Sequence, residues 1–133
     1  MEVILDANII FSAMISDSTT RKIIKNSEIS FYYPESALES IIAYKEELMH
    51  KGKLSEYEFY SLLLSLFKKI SIIPDTDMVP VWERSEEIML DIDKEDVLFI
   101  AAALSMKNSV IWTNDKHFQL QKEIKIITTK DII

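Results

Sequence analysis

The chain has 133 residues, 48% of them hydrophobic and 28% charged, with a net charge of −7 and no cysteine. That length and balance fit one globular domain, residues 1–133, with one sizeable core. The absence of cysteine excludes a disulfide framework or a thiolate metal site. With 22 acids against 15 bases, a uniformly basic nucleic-acid surface is also excluded, although bound cations can neutralise clustered acids locally. One glycine and three prolines leave no room for linkers or low-complexity tracts. No apolar run approaches the ~20 residues of a membrane span. The N-terminus lacks a basic leader, so no signal peptide and a cytoplasmic protein without membrane contact are expected.

Val3, Ile4 and Leu5 form a short apolar run that reads as a buried central strand. Asp6 follows without a break. A carboxylate at the end of a buried strand is costly unless something pairs with it, and the carboxyl ends of strands are where open α/β sheets bind ligands. Asp is also a favoured N-cap, so Asp6 has two readings, as cap or as site residue. Ala7 to Ile15 reads as a short helix, Ser18-Thr19-Thr20 as the start of another, and Ile29 to Tyr33 as a strand ended by Pro34.

Glu35 to His50 reads as one helix stopped at Gly52. Ser55 and Glu58 have the spacing of a capping box that opens a helix running to about Lys69. Ser71 to Ile73 is a third strand. Asp77 is expected to cap a helix from Val79 to Leu90. Lys94 to Lys107 is apolar almost all round, so it is expected to be buried. Ser109 to Trp112 is a fourth strand, Asp115 to Gln121 a short helix or turn, Ile124 to Ile127 a fifth strand, and Thr129 to Ile133 a last turn. Alternation of strands and helices implies a three-layer α/β/α sandwich around a mainly parallel sheet of about five strands.

Two later segments resemble the first. Asp93-Lys94-Glu95-Asp96 runs into the buried helix, and Thr113-Asn114-Asp115 ends the strand before it. The second repeats the logic of Leu5-Asp6, so Asp6 and Asp115 share one sheet edge if both strands are central and parallel. Two like charges 4 Å apart repel by about 4 kcal/mol at an effective dielectric near 20. Such a cluster needs protons or a cation. All-oxygen donors select Mg²⁺ or Mn²⁺ over zinc. Asn8 and Asn114 are placed to orient the acids, and Thr113 stands either near the metal or in a plain strand-end turn. His117, two residues after Asp115, is in reach of a phosphate, but a lone His on a short exposed helix reads as a residue without a chemical role. His50 reads as a helix C-terminal residue, Trp82 and Trp112 as core rather than base-stacking platforms, and Tyr32 and Tyr33 as strand packing.

Leu5-Asp6-Ala7-Asn8-Ile9-Ile10-Phe11-Ser12, Asp93 through Leu104, and Ile111 through Phe118 together resemble the PIN domain, in the right order and over nearly the whole chain. The resemblance implies a metal-dependent ribonuclease, with RNA as substrate and Asp6, Asp96 and Asp115 as the catalytic and metal-holding acids, Asp93 close by. It also implies a VapC-type toxin whose partner is an antitoxin protein, and it leaves a homodimer open. One position departs from the pattern. The family supplies a glutamate about six residues past a proline, and counting from Pro34 that position is Ser40, with Glu39 one residue early. On a helix whose buried stripe is Ala37, Leu38, Ile41, Tyr44 and Leu48, Glu39 lies opposite the stripe and Ser40 at its flank. Either a local shift brings Glu39 in as a fourth acid, or the site has three strong acids and a serine; helical phase favours the second. That departure implies reduced activity, or a non-catalytic RNA- or protein-binding module on the same scaffold. A phosphotransfer domain of the haloacid-dehalogenase or receiver kind is the remaining alternative. The first needs a second Asp where this chain has Asn8, and the second needs paired acids before the phospho-acceptor strand and a Lys after a late strand, which are not present in order.

Overall fold

The computed structural model describes residues 1–15 and 18–133. Its centre is a strand, β1 (Glu2–Leu5), whose Val3, Ile4 and Leu5 are fully buried. Each such aliphatic side chain contributes about 1.5–3 kcal/mol on burial. Parallel partners flank β1 on both sides: β2 (Ser30–Pro34) and β4 (Ser109–Trp112). Beyond them lie β3 (Ile70–Ile73) and β5 (Ile126–Ile127), giving the order β3-β2-β1-β4-β5 with every pair parallel. Such a sheet is buried on both faces, which is why β1 is a continuous apolar run rather than an alternating one.

Between β1 and β3 come α1 (Ala7–Met14), α2 (Thr19–Asn26), α3 (Leu38–Ala43), α4 (Lys45–Gly52) and α5 (Glu56–Phe67), which pack on one another. Between β3 and β4 come α6 (Asp75–Met78), α7 (Trp82–Met89) and α8 (Val97–Leu104), with α8 against β1, β2 and β4. The chain moves outward from β1 to β3, then crosses back to β4 on the other side. Right-handed crossovers in opposite directions place the two helix groups on opposite faces. A final helix, α9 (Thr129–Ile132), follows β5.

Several boundaries differ from the sequence reading. Glu35 to His50 is not one helix: a tight 3₁₀ turn at Glu35–Ala37 leads into α3, and a turn at Tyr44 separates α3 from α4. Tyr44 is 50% exposed instead of buried, its ring edge-on to Phe11 at 5.3 Å between centroids. Gly52 is the last residue of α4, and the left-handed stop is Lys53, with φ 54°. Gly52 is needed for another reason, since a Cβ there would stand 2.7 Å from the Met14 carbonyl oxygen. Asp77 lies inside α6 and does not cap a helix from Val79; Pro80 sits in a 3₁₀ turn, Val79–Val81, and α7 starts after it. Lacking an N–H, Pro80 belongs at such a start and not in a helix interior. Trp82 is 38% exposed and lines a largely apolar groove of about 780 Å³ with Met78, Val79 and Leu98, so it is not core. Trp112 is fully buried, and Tyr33 with it. The helix α8 is buried as its composition requires, Phe99 to Ala103 being all covered.

Candidate metal centre

β1 and β4 run side by side with opposite onward connections, toward β2 and toward β5. Their carboxyl ends therefore form the switch point of the sheet, where open α/β folds leave a crevice. The crevice here is a cleft of about 490 Å³ bordered by the acids Asp6, Asp93, Glu95, Asp96 and Asp115 and by Asn8 and Ser40, with Phe11, Tyr44 and Phe99 as apolar lining. No Lys or Arg is among the described residues that line it.

Pairing of Leu5 with Trp112 fixes the register, and the next residue on each strand supplies a polar group. The Asp6 N–H donates to the Trp112 carbonyl at 3.1 Å, and the Thr113 hydroxyl donates to Asp6 Oδ2 at 2.7 Å. The same hydroxyl oxygen accepts the Asp115 N–H at 3.0 Å. Thr113, fully buried, thus ties the two strand-end acids to one another. Asp6 stands at the N-cap of α1, where its carbonyl accepts the Ile9 N–H at 3.0 Å but its side chain makes no capping hydrogen bond of good geometry. Burial raises its pKa above the ordinary carboxylate value, the Asp115 charge adds to the rise, and the Thr113 hydroxyl and nearby backbone N–H groups oppose it.

The second contribution comes from the entry to α8. Asp93 Oδ1 accepts the Glu95 N–H at 3.0 Å and opens a 3₁₀ turn, Lys94–Asp96. That turn carries Asp96 into the cleft, 8% exposed. Asp96 Oδ2 has no hydrogen-bond partner, and it is the one such buried side-chain atom among the described residues. Burial, then the charges of Asp93, Asp6 and Asp115, push its pKa up to about 7. A buried carboxylate oxygen without a donor costs free energy. Beside four other acids, and with no Lys or Arg among the described lining residues, it fits a hard divalent cation by donor chemistry. The residues present therefore suit a divalent cation.

Ser40 borders the cleft, while Glu39 is exposed and is not among its lining residues. The 3₁₀ turn before α3 does not shift the phase enough to bring Glu39 in. Asn8 borders the cleft and is exposed. Asn114 does not line it: its amide donates to Thr129 Oγ1 at 2.9 Å and accepts the Thr129 N–H at 3.0 Å, fastening the start of α9. The expectation that Asn114 orients the acids is corrected accordingly.

Two residues near the acids were weighted too lightly by the sequence reading. His117 follows Asp115 in the 3₁₀ turn Lys116–Leu120, with its ring Nδ1 3.4 Å from Asp93 Oδ2 and 3.3 Å from Asp115 Oδ1. Tyr33 lies beneath the site. Its hydroxyl donates to the Ala37 carbonyl at 3.2 Å, and burial followed by the Asp6 charge pushes its pKa upward. The i+2 spacing of His117 from a strand-end acid was the available signal for the first; nothing in sequence marks the second.

A five-stranded parallel sheet with an acidic, cation-suited cleft at its switch point defines a class of α/β proteins whose chemistry sits at the carboxyl edge. A family model for the PIN domain matches residues 4–132, and the chain belongs to the PIN domain family. PIN domains are generally nucleases and typically use divalent metals. A comparison with curated proteins returns no match. No helix among the described residues is long and apolar enough to cross a membrane.

Proposed function

We propose that this chain is a Mg²⁺- or Mn²⁺-dependent ribonuclease that hydrolyses RNA phosphodiester bonds in the cleft at the ends of β1 and β4. The observation that carries the reading is the convergence of Asp6, Asp93, Glu95, Asp96 and Asp115 with an unpartnered, buried Asp96 oxygen and no Lys or Arg among the described lining residues to offset them. When bound, a divalent cation supplies Lewis acidity toward water and phosphate.

The protein's own part is placement. Asp6, Asp96 and Asp115 present carboxylate oxygens from three different backbone segments. Thr113 holds Asp6 and Asp115 in fixed relation, which limits the reorganisation needed when charge develops at the phosphate. Asn8 and Ser40, at the border, are placed to hydrogen-bond substrate oxygens. Phe99 excludes water beneath the acids, and Tyr44 offers an exposed ring at the rim for a base to stack on.

Ser40 favours a second reading, because it gives the cleft one carboxylate fewer than the family pattern. In that reading the chain binds RNA or protein without turnover. As a toxin it would need an antitoxin segment that covers the acidic cleft, and a second copy as partner is the remaining expectation; an adjacent small gene that neutralises it would support the toxin role. The test is cleavage of single-stranded and structured RNAs with Mn²⁺, Mg²⁺ or EDTA, with Asp6→Asn beside the wild type. Metal-dependent cutting that Asp6→Asn loses is the expected result. No cutting by either protein, with cation binding measured, would transfer the conclusion to the binding module.

A further inference from the structure

His117 sets an imidazole beside two acids of this cleft, Asp93 and Asp115. Its backbone N–H donates to Asp115 Oδ1 at 2.9 Å, so an acid of the site itself fixes where His117 sits. Its ring Nδ1 approaches carboxylates from two different turns, Asp93 and Asp115. Asp93 caps its own turn through Oδ1, and Oδ2 is the oxygen that faces His117. One ligand atom from each of Asp93, Asp96 and His117 can be chosen so that all lie within 4.8 Å of one another. Donors about 2.1 Å from one ion stand at most about 4 Å apart, so modest side-chain rotation closes the set.

An ordinary ion pair of His117 with Asp93 and Asp115 would explain the two short approaches. It would leave Asp96 Oδ2 buried without a partner. A cation held between Asp93, Asp96 and His117 accounts for both observations at once.

We propose that Asp93, Asp96 and His117 form a mixed nitrogen–oxygen cation position at the Asp93 end of the cleft, and that this position takes a first-row transition-metal dication in preference to Mg²⁺. The inference deepens the reading of the cleft as a cation site, on which it rests, by naming an additional ligand and the ion class. Mg²⁺ favours oxygen donors in near-ideal octahedral geometry, whereas imidazole suits the later first-row ions such as Fe²⁺, Ni²⁺ and Zn²⁺. Asp96 is then shared between this position and the one formed with Asp6 and Asp115.

The experiment uses the whole chain, freed of metal and titrated with Mn²⁺ alone or Mg²⁺ alone. Pulsed electron paramagnetic resonance of bound Mn²⁺ reads nitrogen-14 coupling from a coordinated imidazole. Coupling in the wild type that disappears in both His117→Ala and His117→Gln is expected. Alongside it, the affinity for Zn²⁺, titrated separately, falls about tenfold or more while Mg²⁺ affinity changes by less than about twofold. Because His117 is exposed, neither variant removes core packing. Mn²⁺ bound without nitrogen coupling, or coupling unchanged in the variants, would overturn the His117 position and leave the oxygen-ligated reading standing. No Mn²⁺ binding at all would overturn both.

Discussion

Acidic residues open helices in two regions of this molecule, with opposite consequences. At the start of α5, Glu58 returns its carboxylate to the Ser55 N–H at 3.0 Å while Ser55 Oγ accepts the Glu58 N–H. At the start of α9, Asp131 does the same for Thr128. Both carboxylates are held below the ordinary range by those bonds. At the cleft, Asp6 occupies the cap position of α1 without a side-chain cap bond, and Asp96 precedes α8 with one oxygen unpartnered. Both are pushed upward, by burial first. Glu58 and Asp131 sit in the first turn, at the third residue of their helices, whereas Asp6 and Asp96 stand at the cap position. The larger difference is burial, since Asp6 also has donors in reach, the Thr113 hydroxyl and the Ala7 and Asn8 N–H groups. An acid at a solvated helix start stabilises the fold, and an acid buried at a sheet edge carries a charge that burial opposes.

Neutralising a cleft acid has the largest expected effect. Asp6→Asn and Asp96→Asn are each expected to lower metal-dependent RNA cleavage about a hundredfold or more, measured as kcat/KM. Loss of the tie between the strand ends comes next. Thr113→Val removes a hydroxyl that serves both Asp6 and Asp115, and an expected loss of about 10–100-fold in Mn²⁺ affinity is read by calorimetry.

The pH dependence of the metal-free protein follows from the sign of the shifts. The folded pKa of Asp96, about 7, lies above its ordinary value of 3.8, so the folded state binds more protons than the unfolded state between those values. Stability from this group is fully present below pH 3.8 and is lost as pH rises through about 7, and Asp6 acts in the same direction. Thermal unfolding in EDTA is therefore expected to drop by about 5 °C or more between pH 5 and pH 8, with saturating Mn²⁺ flattening the slope.

Ser40→Glu sharpens the contrast by supplying the missing acid. It is expected to tighten Mn²⁺ binding about tenfold while lowering metal-free stability above pH 7. The smallest effect belongs to the solvated region. Ser55→Ala removes one half of the capping box and is expected to lower Tm by about 3–5 °C, with cation affinity unchanged.

How much of this was legible beforehand depends on what each feature rests on. The sheet, its parallel sense and the meeting of Asp6 with Asp115 were readable, because unbroken apolar runs that end in an acid are a local signal. Capping at Ser55 was readable for the same reason. The turn at Tyr44 was not, since Leu38 to Leu48 keeps helical periodicity across it and only tertiary packing against Phe11 shows that the ring sits at the rim. Asn114 was misjudged because its partner, Thr129, is fifteen residues away and belongs to a helix too short for sequence to mark strongly. Helical phase singled out Ser40 over Glu39 as the cleft-facing residue, and the structure puts Ser40 at the border. His117 required knowing that the 3₁₀ turn after Asp115 folds back toward Asp93, a relation between segments more than twenty residues apart.

The most direct test of the account is thermal unfolding of the wild type and Asp96→Asn at about pH 8, each in EDTA and in saturating Mn²⁺. If the buried Asp96 carboxylate is a cation ligand and not a structural cap, Asp96→Asn melts at or above the wild type in EDTA, because a buried charge has been removed. Mn²⁺ then raises the wild-type Tm by several degrees and the variant's by much less. A variant that melts well below the wild type in EDTA, together with a wild type indifferent to Mn²⁺, would contradict it.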